Sequence, residues 1–116
     1  MLEYVRHTNA LVIADHAFPF WPEIETVDIS LSSGVPTVLE VFRAIQPEFH
    51  IARAYMAREF RKHNASATRD RFARALAGVR VTFEPHVKLK QRVPAAIGLI
   101  RTGDTVPYAN MILVSG

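Results

Sequence analysis

Seven prolines cut this chain into short lengths, and most of those lengths read as either a strand or a helix. Leu11 to Ala14 is a β-favouring apolar run that stops at Asp15, and the "HAFPFWPE" after it, with two prolines, continues neither a helix nor a central strand. Thr26 to Leu31 alternates Val27, Ile29 and Leu31 with polar Asp28 and Ser30, which predicts a second strand. In the following "SSGVP", Ser33 offers a cap and Pro36 stands near a first helical position. Val38, Leu39, Phe42 and Ile45 then share one helical face until Pro47.

Between Glu48 and His63 the pattern fits two structures. Phe49, Ile51, Arg53 and Tyr55 suit a strand, while Ala52, Tyr55, Met56 and Phe60 suit a helix. "NASATRDRFARALAG" predicts a helix capped by Asn64 or Ser66, with Phe72 and Leu76 on one face and Gly78 as its stop. Val79, Val81 and Phe83 alternate as a strand before Pro85, and a helix is expected from His86 to Val93, ended by Pro94. Ile97 to Ile100 and Met111 to Val114 are two closing strands joined by "RTGDTVPYAN". Strands alternating with helices predict an α/β fold: a single three-layer sandwich with a mostly parallel central sheet flanked by helices. At 116 residues there is material for one core, so residues 1–116 are expected to form one domain.

Composition removes several classes of function. The absence of cysteine excludes disulfides, thiol nucleophiles and thiolate metal sites. None of the five histidines (His7, His16, His50, His63, His86) forms a pair at i,i+2 or i,i+4, so no local metal motif exists and no metal is expected. Glycine-rich phosphate loops and a nucleophile elbow are likewise missing from the sequence. The net charge of +3 and the arginines at positions 53, 58, 61, 69, 71 and 74 raise the question of nucleic acid. Glu59 and Asp70 interrupt that set, however, and no stacking motif accompanies it, so a solvated surface is expected instead. No apolar run approaches the ~20 residues that span a bilayer, and the first six residues lack a signal-peptide core. The expectation is a cytoplasmic protein with no membrane or nucleic-acid partner.

The stretches "HTNALVIAD", "VDISLSSGVPTVLEV", "KHN" and above all "RTGDTVPYANMIL" resemble, in order and over nearly the whole chain, the D-ribose pyranase and fucose mutarotase family. The R-x-G-x-x-x-P-Y-A-N run is its most specific part. The resemblance implies a cofactor-independent sugar mutarotase that interconverts pyranose and furanose (or anomeric) forms of a free monosaccharide, with D-ribose the expected substrate. A fucose-type mutarotase and a non-catalytic sugar-binding relative are the alternatives. On matching positions it implies His7 as catalytic acid and Asp15, His86, Tyr108, Ala109 and Asn110 as substrate-binding residues. It also implies a strand from Glu48 to about Met56 and a ring-shaped homo-oligomer, a pentamer or decamer.

Elementary chemistry suits that assignment. Opening a cyclic hemiacetal and closing it through another hydroxyl moves protons between oxygens, which imidazole, with a free pKa near ~6.5, can do around neutrality. A carboxylate accepts hydrogen bonds from vicinal hydroxyls, and an amide and a phenol supply complementary donors and acceptors. Taken singly, these residues have plainer readings: His7 as a solvated terminus, Asp15 as a turn residue, His86 as a helix start and Tyr108 as a packing aromatic. His16, His50 and His63 read as surface or structural. Two departures from the family pattern stand out. Only six residues precede His7, so the family's leading helix is expected to be missing or shortened, and Asn9 stands where an aspartate is usual. There is also a problem of reach: five residues of strand, Ala10 to Ala14, extend ~16 Å, which places His7 and Asp15 near opposite ends. Either the chain curls back around His7, or the pocket lies between subunits.

Overall fold

The structure, a computed structural model, describes residues 9–48 and 50–116, so the expectations for His7 and for a shortened leading helix lie outside the described residues. Six strands make one sheet: β1 (Ala10–Ala14), β2 (Thr26–Asp28), β3 (Ile51–Ala57), β4 (Arg80–Glu84), β5 (Gly98–Arg101) and β6 (Met111–Ser115). Their order is β2-β5-β1-β6-β3-β4. β6 runs antiparallel to β1 and β3, and the other three pairings are parallel. The helices are α1 (Val38–Ile45), α2 (Glu59–His63), α3 (Ser66–Ala75) and α4 (His86–Arg92), the last running into a 3₁₀ turn at Val93–Ala95.

The two-residue period of the strands builds the three layers. Ile13, Ala54, Met56, Met111 and Leu113 face one side, where α1 and α3 bury Val38, Phe42, Phe72 and Leu76 upon them. Val12, Ala14, Ala57, Leu99 and Ile112 face the other, under Leu89 of α4 and Val93. The expected mostly parallel sandwich is therefore present, and the segment that fits two patterns resolves into strand β3 followed by the short helix α2. Neither pattern holds as a whole: Ala52, Tyr55 and Met56 of the helical pattern lie in β3, and a register shift between Ile51 and Arg53 makes Ile51, Ala54 and Met56 the buried residues of the strand, with Phe60 buried from α2.

Three local expectations fail. The strand predicted from Thr26 to Leu31 ends at Asp28, because the Asp28 carboxylate accepts the Ser30 N–H and the chain then turns through Ser32 and Val35, leaving Leu31 exposed. The cap of α1 is Thr37, not Ser33. Thr37 Oγ1 accepts the Glu40 N–H at 3.1 Å and Glu40 Oε1 accepts the Thr37 N–H at 2.8 Å, a reciprocal box that four residues of "TVLE" encode. Likewise neither Asn64 nor Ser66 caps α3 through its side chain.

All five parallel strands end on one edge of the sheet, and antiparallel β6 starts there: Ile13 lies beside Ile100 and Met111, and Ala57 beside Glu84. The loop after β5 ties that edge together. Thr102 Oγ1 donates to the Ala14 carbonyl at 2.8 Å, and buried Asp104 accepts the Val38 N–H at the start of α1 and the Val106 N–H, each at 2.8 Å. Gly103 is required by crowding, since a Cβ there would meet the Ser32 and Val35 carbonyl oxygens at 2.4 and 2.5 Å. Asp104→Ala strands two amide donors, one of them enclosed, and is expected to cost about 3 kcal/mol in urea unfolding, with Asp104→Asn intermediate. A loss below about 0.5 kcal/mol would show that the loop does not depend on this carboxylate.

Candidate functional site

On this edge, the C-terminal ends of β1 and β4 and the entry to β6 surround a cleft of about 340 Å³. Open α/β sheets characteristically bind ligands outside the carboxyl ends of their strands, and the volume falls within the ordinary range for small-molecule sites. Asp15, His86, Tyr108 and Asn110 line it together with Phe18 and Pro107. A larger cleft of about 540 Å³ between α3 and β4 is walled chiefly by apolar side chains such as Phe72, Leu76, Val81 and Phe83. Its charged lining is Arg61, Arg69 and Asp70, without the amide, phenol and imidazole that accompany the carboxylate of the smaller one.

Asp15 follows directly from the end of β1. Its backbone N–H donates to Asn110 Oδ1 at 2.7 Å, and its own carboxylate accepts the Ala17 N–H at 3.1 Å. Burial raises its pKa above the usual carboxylate value, while the Ala17 hydrogen bond and nearby His16 pull the other way. The loop leading away from Asp15 is pinned by Arg101, which donates to the Phe18 carbonyl at 2.7 Å and to the His16 carbonyl.

His86 opens α4 just after Pro85, so its ring position follows from the helix start. Its Nδ1 is buried without a hydrogen-bond partner among the described residues. Burial lowers the His86 pKa, as does the charge of Lys90, against the opposing charge of Glu59. The ring is therefore neutral near pH 7 and able to accept or give one hydrogen bond to a ligand. It makes T-shaped contacts with two aromatic rings, Tyr108 at 5.1 Å and Phe18 at 6.1 Å between centroids.

Tyr108 adopts φ +57°, a left-handed conformation uncommon for a non-glycine residue. That turn lets consecutive residues serve different layers: Tyr108 lines the cleft, Ala109 is enclosed in the core beneath α1, and Asn110 returns to the cleft wall. Of the expected site residues, Asp15, His86, Tyr108 and Asn110 are thus brought together, while the Ala109 side chain does not reach the cleft. His63, read as surface or structural, packs against the Tyr108 ring at 5.2 Å. Glu59, Asn64 and Arg101 support the site; the sequence offered Asn64 only as a helix cap and gave none of the three a part in the site. No signal for these supporting roles was present in the sequence, because each acts through backbone groups that a sequence does not place. Among the described residues no group of three or more His, Cys, Asp or Glu is arranged to hold a metal, and no helix is long and apolar enough to cross a membrane.

Comparison with known proteins bears on the family and the fold. The model of the RbsD/FucU transport protein family matches residues 1–116. The D-ribose pyranase of Chromobacterium violaceum is 44% identical, covering 100% of this chain and 88% of the relative. That of Geobacillus kaustophilus is 38% identical over 100% and 85%. Among solved structures, Bacillus subtilis RbsD complexed with D-ribose superposes with a TM-score of 0.88 at 26% identity, covering 99% of this chain and 90% of that one. The fucose mutarotase of Streptococcus pneumoniae, at 18% identity and a TM-score of 0.74 over 95% and 84%, shares the fold.

The raised Asp15 pKa makes a stability prediction. A carboxyl whose folded pKa exceeds its unfolded value stabilises the fold below the unfolded value, and that contribution is lost as pH rises through the folded one. Asp15→Asn should therefore raise Tm near pH 7, and the gain should vanish towards about pH 3, where the wild-type carboxyl is protonated. Calorimetry showing no gain near neutrality would contradict the burial argument.

Proposed function

This chain belongs to the RbsD/FucU family of sugar mutarotases, and we propose that it interconverts the pyranose and furanose forms of free D-ribose. The observation that carries the reading is the convergence of Asp15, His86, Tyr108 and Asn110 on one cleft of the sheet's carboxyl edge. The relatives named D-ribose pyranase, and the ribose bound to the B. subtilis protein, support the choice of sugar.

In this reading the Asp15 carboxylate takes hydrogen bonds from vicinal hydroxyls, the Asn110 amide and Tyr108 phenol orient the ring, and neutral His86 holds a further hydroxyl. Ala109 acts as the spacer that sends its two neighbours to the cleft. His7 gives a proton to the ring oxygen as the C1–O bond breaks and the anomeric hydroxyl loses its proton, leaving the open-chain aldehyde. A different hydroxyl then attacks C1, its proton departs, the carbonyl oxygen is protonated, and the furanose results. Every proton removed is returned, so the reaction has no net redox or group transfer.

The acid in this scheme comes from a second copy of the chain. The Asn9 carbonyl still accepts the Ser115 N–H at 3.0 Å, so the extended path runs from Asn9 to Asp15, six steps or about 20 Å. Two residues of chain reach about 7 Å, less than half of that path, which supports a site shared between copies. A ring-shaped homo-oligomer, a pentamer or decamer, would bring the two together, and the place of action is the cytoplasm.

Saturation-transfer NMR tests the reaction. The wild type should accelerate pyranose–furanose exchange of D-ribose well above the buffer rate, and more than it accelerates the exchange of L-fucose. His7→Ala should lose about 10²-fold or more of that acceleration. Ribose binding without faster exchange would make the chain a sugar-binding relative and not an enzyme, and full activity in His7→Ala would remove that residue from the scheme.

A further inference from the structure

Helix α2 is only five residues long, yet each end of it holds a different wall of the cleft. At its first residue, Glu59 Oε1 accepts the backbone N–H of His86 at 2.9 Å. That N–H opens α4, whose own N-cap, Pro85, has no side chain able to satisfy it, so Glu59 performs the capping from another helix. Just past the other end, Asn64 spends both N–H bonds of its side-chain amide. One goes to the Phe60 carbonyl at 2.8 Å, closing α2, and the other to the Pro107 carbonyl at 2.9 Å, directly before Tyr108. His63, between them in sequence, packs its ring against Tyr108. Buried Phe60 fixes the whole helix to the core through Phe72 at 4.7 Å.

We propose that α2 is the positioning element of the sugar cleft, with Glu59 setting His86 and Asn64 setting the Tyr108 turn, so that the two walls keep a fixed separation. The proposal rests on the cleft being the sugar site. Its logic is geometric: His86 and Tyr108 are 22 positions apart in sequence and belong to different elements, and their rings meet at 5.1 Å. A left-handed tyrosine persists only where its surroundings hold it. The Asn64 donor on the preceding carbonyl is such a constraint, and an aspartate there would face two carbonyl oxygens with no donor. Glu59 needs only an acceptor oxygen, which glutamine also supplies.

The test uses the full-length chain and four variants: Glu59→Ala, Glu59→Gln, Asn64→Asp and Asn64→Ala. Without any sugar, amide exchange of His86 should be slow in the wild type and Glu59→Gln and faster in Glu59→Ala. The Tyr108 ring signals should move in both Asn64 variants. With D-ribose, Glu59→Ala and the Asn64 variants should bind about tenfold more weakly at little change in Tm, while Glu59→Gln stays within about twofold of the wild type. Ribose affinity equal to the wild type in Glu59→Ala and Asn64→Asp would overturn the proposal. If the wild type itself binds neither D-ribose nor L-fucose, the sugar reading fails. The clamp is then decided by the His86 and Tyr108 signals alone, and unmoved signals overturn it.

Discussion

The hydrogen bond from the Asp15 backbone N–H to the side-chain carbonyl of Asn110 joins two residues 95 positions apart at the one place where an antiparallel strand enters an otherwise parallel edge. Strand β6 begins where β1 ends, so Asn110 must arrive beside Asp15 with its amide aimed at the backbone and its chain already turned. The left-handed Tyr108 makes that arrival possible. It reverses the side-chain order so that a phenol faces the cleft, a methyl fills the core and an amide completes the wall. Loosening this bond would release Asp15, Tyr108 and the start of β6 at once.

Around it the chemistry and the scaffold are interleaved along the same short stretch. Arg101, Thr102, Gly103 and Asp104 bind the ends of β1, the 16–18 loop and the start of α1, and Pro107, Tyr108 and Asn110 farther along line the cleft. The motif is therefore long because it does two tasks in sequence: its first half closes the sheet edge and its second half furnishes side chains. Burial costs the Asp15 carboxyl its easy ionisation and lowers the basicity of His86, which fits the binding role proposed for them.

The layers of the fold were legible because they depend on periodicity. Val12 and Ile13, Ala54 and Met56, and Phe72 and Leu76 alternate or recur as two-faced strands and one-faced helices must, and they are buried accordingly. Legibility ended where the backbone of one segment answers the side chain of another. The Asp28 hydrogen bond that ends β2 early and the choice of Thr37 over Ser33 were local and could have been weighed, the second from the Thr37–Glu40 spacing alone. Asp104 capping α1 across 66 residues, Glu59 capping α4 across 27 and Asn64 holding Pro107 across 43 could not. Asp15, His86, Tyr108 and Asn110 became candidates through resemblance, since each alone is an ordinary turn, cap or packing residue. The arithmetic of strand length, by contrast, came from the sequence alone, and the described part of β1 with its Asn9–Ser115 pairing keeps its force.

The central claim is that one cleft, completed by a second copy of the chain, receives the sugar. A crystal structure of the protein with D-ribose tests it most directly. The expected result is a ribose whose hydroxyls meet the Asp15 carboxylate and the Asn110 amide, beside His86 and Tyr108, with the imidazole of His7 from a neighbouring copy approaching the ring oxygen. Ribose seated in the apolar cleft between α3 and β4, or a complete site with His7 and Asp15 from the same copy, would contradict the account.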